Sequence, residues 1–128
     1  MNLLFDTHIL LWTIAGDERL PARVRALLAD QGNDFRFSAA SVWEVAIKNA
    51  LPRRSLGISG ESFRREVLAA GFREISISSE HAAVVETLPP VHQDPFDRLL
   101  VAQAKADGLV LVTHDSFLPP YGPFVMLV

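Results

Sequence analysis

Residues 3–12 read LLFDTHILLW. Leu3 to Phe5 is a short apolar run that suits a buried strand, and His8 to Ala15 follows with helix-like spacing before Gly16 closes it. Between the two stands Asp6, an ionisable side chain at a point where desolvation makes charge costly. A strand that passes into a helix through a single acid is the first half of a strand–helix–strand crossover, and the rest of the chain repeats this rhythm.

A helix is expected over Ala22–Ala29 and a strand over Phe35–Phe37. SAASVWEVAIKNA (38–50) then sets Val42, Val45, Ala46 and Ile47 on one side of a helix that stops before Pro52. LPRRSLGISG (51–60) is a loop, Glu61–Ala70 a helix and Glu74–Ile77 a strand, after which Ser78 or Ser79 caps a helix running to Leu88. The loop LPPVHQDP (88–95) delivers a helix over Phe96–Ala106 that ends at Gly108. LVLV (109–112) is apolar throughout, as a strand covered on both faces would be, and FVMLV (124–128) is a candidate last strand. Strands separated by helices at this spacing predict right-handed crossovers and a parallel sheet between helix layers, an α/β fold in one domain over residues 1–128. In such sheets ligands collect outside the carboxyl ends of the strands.

Hydrophobic residues make up 49% of the 128 and charged residues 21%, which excludes a disordered or repetitive chain. Cysteine is absent, which removes thiolate nucleophiles and Cys-based zinc sites. The N-terminal apolar run lacks a basic flank and is broken by Asp6 and His8, and no stretch approaches the ~20 apolar residues of a membrane span. A soluble, cytoplasmic protein with no membrane partner is expected. The net charge is −3, unevenly spread: residues 48–73 carry six basic against two acidic side chains, leaving −7 elsewhere.

Four acids stand where the chain reaches one sheet edge. Asp6 follows the first strand, Asp115 follows LVLV by two residues, Glu44 lies about one turn inside its helix, and Asp97 sits in the first turn after Asp94-Pro95. Each has a plain alternative. Asp6 and Asp115 match helix caps, Ser41-x-x-Glu44 a capping box, and Asp94-Pro95-Phe96-Asp97 a cap, a first-position proline and a dipole-matched acid. Capping does not explain why two acids directly follow strongly apolar strands while two more return to the same edge. Carboxylates within reach of one another raise each other's pKa, and a hard divalent cation such as Mg2+ or Mn2+ relieves that strain. Water bound to such an ion is a better nucleophile toward phosphate.

FDTHILLW (5–12), SVWEVAIK (41–48), DPFDRLLVAQA (94–104) and LVLVTHD (109–115) together resemble the motifs of the PIN-domain ribonucleases, specifically the VapC toxins of type II toxin–antitoxin systems. The likeness runs from Leu3 to about Phe117. It implies a three-layer α/β/α fold on a mainly parallel sheet and Mg2+- or Mn2+-dependent endonucleolytic cleavage of RNA. It also implies a catalytic, metal-holding set of Asp6, Glu44, Asp97 and Asp115, with Asp94 in the variable approach to the third motif. A small cognate antitoxin and a second copy of the chain are the partners it implies beside the RNA.

Thr7 and Thr113 neighbour these acids, where a hydroxyl either orients a carboxylate or makes an ordinary helix-start or strand-end hydrogen bond. Ser41 supports Glu44 or caps its helix. His8, His81, His92 and His114 lack HxxxH or HExxH spacing, which speaks against a zinc hydrolase, and His114 reads as a partly exposed loop residue near substrate. Arg53, Arg54, Arg64 and Arg65 are candidate contacts for RNA phosphates, with a solvated basic face or an antitoxin surface as alternatives. Arg98 reads as an exposed first-turn residue, and Trp12 and Trp43 as core or subunit contacts. Two other functions compete: a receiver- or phosphatase-like phosphoryl-handling domain, although FDTH lacks the second acid of D-x-D-x-T, and a catalytically silent PIN-like protein-binding module, although all four acids are present.

Overall fold

The computed structural model describes residues 1–128. Strand β1 (Asn2–Phe5) passes through Asp6 into α1 (Thr7–Ala15), followed by α2 (Ala22–Ala29), β2 (Asp34–Ser38), α3 (Ala39–Asn49) and α4 (Gly60–Ala69). Then come β3 (Arg73–Ile75), α5 (Ser79–Val84), α6 (Pro95–Asp107), β4 (Val110–Thr113) and β5 (Val125–Leu127). Every strand pairing is parallel, in the order β3-β2-β1-β4-β5. The expected α/β architecture, helices on both faces of a parallel sheet, is the one observed.

Alternation along the strands builds the layers. Leu3 and Phe5 of β1 point to one face, where they pack with Ile9 and Leu10 of α1, Val24 of α2, and Phe63 and Val67 of α4. Leu4 points to the other face and joins Leu111 of β4 with Leu100, Val101 and Ala104 of α6. With both faces of β1 and β4 covered, the apolar runs LLF and LVLV have the composition their position demands. The chain lays β2 and β3 outward on one side of β1, then crosses back and lays β4 and β5 on the other. The direction of winding therefore reverses between β1 and β4, and a crevice opens there at the carboxyl ends.

Local chemistry sets the boundaries, and several differ from expectation. Ser38, the extended last residue of β2, caps α3 by accepting from the Ala40 amide at 2.9 Å. The helix thus starts one turn before Ser41, so Ser41 and Glu44 form no capping box and lie buried on the helix instead. Strand β3 is shorter than predicted because it is an edge paired on one side only, and Ile77 beyond it is exposed. Ser78 caps α5 reciprocally with His81, but this helix tightens into a 3-10 turn at Val85–Thr87 ahead of Pro89-Pro90, which cannot continue it. Asp94 caps α6 with Pro95 in its first turn, and Gly108 ends it in the left-handed region at φ 66°.

One glycine fixes how closely α3 approaches α4. A Cβ at Gly60 would lie 2.8 Å from the Ala46 methyl and 3.2 Å from the Val42 carbonyl oxygen, both rigid parts of α3. Gly60→Ala gains about 0.5–1 kcal/mol of backbone entropy. Forcing the helices apart costs roughly 1–3 kcal/mol and wins. Urea melts should show a lower midpoint for Gly60→Ala, and an equal or higher one would contradict this packing.

Candidate active site

The register of β1 on β4, Leu3 beside Val110 and Phe5 beside Val112, brings the ends of these strands level. Asp6 and Thr113 are consequently neighbours, and the Thr113 hydroxyl donates to Asp6 Oδ2 at 2.7 Å. Asp6 Oδ1 accepts the Thr7 amide at 2.7 Å, so this acid does cap α1 while also facing the crevice. Asp6 is only 7% exposed. Burial pushes its pKa up; the hydrogen bonds from Thr113 and the Thr7 amide oppose that shift, and the charge of Glu44 adds to it.

Glu44 arrives from α3 and is 4% exposed. Its Oε1 accepts from the Thr7 hydroxyl at 2.8 Å, and that hydroxyl lies 2.9 Å from Ser41 Oγ. Thr7 therefore ties the start of α1 to α3 through its side chain. Oε2 of Glu44 meets Lys48 Nζ at 2.6 Å, one turn further along the same helix. Thr113 is likewise doubly engaged, since it also accepts the Asp115 amide at 3.0 Å.

Asp97 stands in the first turn of α6. Its carboxyl is pushed up to about 8, first by burial and then by the charges of Asp6, Asp94, Glu44 and Asp115. Asp94 spends Oδ1 on the Phe96 and Asp97 amides as the helix cap. Asp115 opens no helix; its Oδ1 accepts the Phe117 amide in a turn. Between Asp97 and Asp115 sits His92, with Nε2 3.2 Å from Asp97 Oδ2 and 3.4 Å from Asp115 Oδ2.

These side chains line one cleft of about 350 Å³, with Asp6, Glu44, Asp94, Asp97 and Asp115 as its acids and Lys48, His8, His92, His114 and Trp12 as its other walls. All four acids singled out from the sequence thus face a common space. Arg53, Arg54, Arg64 and Arg65 do not line it. Arg53 and Arg54 are exposed in the loop after α3, Arg64 is paired with Glu74 at 2.7 Å, and Arg65 reaches Ser62. Arg98 is not an exposed residue: it donates to the carbonyls of Val85 and Pro89 and to the Tyr121 hydroxyl, pinning the segment that leads to His92. Trp12 packs against the core with one side and borders the cleft with the other, whereas Trp43, 51% exposed, lies outside the core and packs edge-on against Phe96.

Lys48 and His92 were missed as parts of the site. The Glu44-x-x-x-Lys48 spacing places the ammonium on the glutamate's own face and was a legible signal. His92 carried a weaker one, its place two residues before the α6 cap, where the loop must cross the sheet edge. His114, read as a loop residue, is exposed and holds the carbonyl of Val128 at 2.7 Å through Nδ1.

Fold and cleft together define an α/β domain whose switch-point crevice is lined by carboxylates. The chain belongs to the PIN domain family, whose model matches residues 3–119. Among solved structures its fold is similar to a chain of VapBC2 from Rickettsia felis bound to a DNA fragment from its promoter, with a TM-score of 0.71 and 16% identity, covering 100% of this chain and 98% of that one. A toxin–antitoxin complex from Klebsiella pneumoniae matches with a TM-score of 0.64 and 24% identity over 97% and 95%. VapBC-1 from nontypeable Haemophilus influenzae matches with 0.57 and 16% over 90% and 87%. No curated protein matches the chain.

Proposed function

We propose that this chain is a Mg2+- or Mn2+-dependent endoribonuclease that acts as the toxin of a VapBC-type pair. The observation that carries the reading is the convergence of Asp6, Glu44, Asp97 and Asp115 on one open cleft, where burial, and after it the neighbouring carboxylates, leave Asp97 protonated up to about pH 8. Its five acids face a single ammonium, that of Lys48, so the cleft is short of positive charge. Its donors are hard oxygens, which suit Mg2+ or Mn2+, and these four side chains would hold the ion. When bound, the ion supplies Lewis-acid stabilisation of the phosphodiester and an activated water.

The protein's own groups prepare the cleft. The Thr113 hydroxyl and the Thr7 amide fix both oxygens of Asp6, and the Thr7 hydroxyl fixes Glu44. These bonds hold the carboxylates in place before any substrate arrives, as preorganised sites require. Lys48 offers an ammonium at the cleft wall that is able to meet an RNA phosphate. Arg53 and Arg54 are solvent-exposed, and we assign them to outlying RNA phosphates. Arg64 and Arg65 make their contacts within the protein and contribute less.

The solved chains of similar fold come from toxin–antitoxin complexes. By that likeness we infer a small antitoxin as partner, a homodimeric toxin and action in the cytoplasm. No helix is long and apolar enough to cross a membrane. The test is cleavage-site mapping on cellular RNA with purified protein. Defined cuts should appear with Mg2+ or Mn2+ and vanish with a chelator; cuts that persist under chelation, or none under any ion, would reject the reading.

A further inference from the structure

His92 joins Asp97 and Asp115 in a group of three side chains whose donor atoms lie within 4.8 Å of one another, a grouping that by distance alone makes the imidazole a metal ligand. Its other ring nitrogen says otherwise. Nδ1 accepts the Gln93 amide at 2.9 Å and the Asp94 amide at 3.4 Å. A nitrogen that accepts carries no proton, so the proton is on Nε2, the atom that faces the two carboxylates. A histidine that ligates a metal does the reverse: its free nitrogen takes the ion and its far N–H donates to an oxygen. Turning His92 into a ligand would point an Nδ1–H at two backbone N–H groups.

We propose that His92 is a resident occupant of the cleft, a positioning residue whose Nε2–H stands between Asp97 and Asp115 in place of a divalent cation and is displaced when the cation enters. This rests on the metal-dependent reading above. Nε2 stands 3.2 and 3.4 Å from the two carboxylates, farther than the charge-assisted N–H···O bonds of about 2.7–2.9 Å, so the ring lies between the acids without being locked to either. The backbone of His92 is fastened, its amide donating to the Tyr121 hydroxyl at 3.0 Å and its carbonyl accepting from that hydroxyl and from Arg98. The ring is 28% exposed and borders Phe117, itself a surface residue, at 6.3 Å. Rotation about the side-chain bonds moves the ring while the fastened backbone stays in place, at the cost of the Nδ1 bonds from the Gln93 and Asp94 amides.

The experiment is titration of the full chain with Mn2+ alone, followed by calorimetry and by electron spin resonance of the bound ion. Wild type, His92→Ala and His92→Gln are compared, each checked by a thermal melt. Loss of the competitor should tighten Mn2+ binding by roughly three- to ten-fold in His92→Ala, with His92→Gln between it and wild type. The wild-type Mn2+ signal should carry no coupling to a histidine nitrogen. A purely structural residue would weaken binding when removed, so the sign of the change separates the two roles. Unchanged or weaker binding in His92→Ala, or a nitrogen coupling that this variant loses, overturns the inference and leaves the metal reading standing. No Mn2+ binding by any of the three proteins removes both.

Discussion

Asp6→Asn should lower metal-dependent RNA cleavage by on the order of a thousand-fold while the protein stays folded. Asparagine caps a helix about as well as aspartate, so the Thr7 amide keeps its acceptor. The lost charge is one that burial and Glu44 already disfavour. The metal-free variant should therefore melt at the same temperature as wild type or a few degrees higher. What is lost is a proposed ligand with both oxygens held in place, by Thr113 and the Thr7 amide. Single-turnover cleavage assays alongside thermal melts separate the two effects. Full cleavage by a folded Asn variant would remove Asp6 from the mechanism, and an unfolded variant would show that its role is structural.

The second large effect is on stability. In the unfolded chain Asp97 titrates near 3.8, and in the folded protein near 8. Between those values the folded state holds a proton that the unfolded state has released, so raising the pH favours unfolding. This contribution to stability is fully present below about pH 4 and is lost as the pH rises through 8. The limiting slope is about 1.4 kcal/mol per pH unit, and because the cleft is open to solvent the observed slope should lie below it. Urea melts in chelator at pH 5, 6, 7 and 8 should show falling midpoints. Asp97→Asn should flatten the trend, and Mg2+ or Mn2+ should reverse it by binding the ionised cluster only in the folded state. A wild-type midpoint that rises with pH, or a slope that Asp97→Asn leaves intact, would show that burial and the neighbouring acids do not keep Asp97 protonated.

Both expectations depend on how Asp6 and Asp97 come together. That Asp6 ends a buried strand could be read from LLFD, because a fully apolar run followed by an acid has few other placements in a parallel sheet. The Asp94-Pro95 start of α6, with Asp97 in its first turn, was equally legible, since each residue there has a local role that needs no distant partner. Ser41 and Glu44 carried two readings, a capping box and a place in the site, and the structure removes the first. Local spacing allowed the capping box, but Ser38 takes the cap and leaves them for contact with Thr7.

From residue order alone came the alternation of strands and helices, the α/β class and the four acids at the carboxyl ends, because apolar runs, caps and helix stops act within a few residues of one another. The tertiary structure decided the rest. It put β4 beside β1 so that Thr113 reaches Asp6, brought Lys48 onto Glu44, and set His92 between Asp97 and Asp115. It also paired Arg64 with Glu74 at the surface and drew Arg98 onto the Val85 carbonyl. A partner 107 residues away in the chain, as Thr113 is from Asp6, is chosen by strand order and packing, which no local pattern encodes.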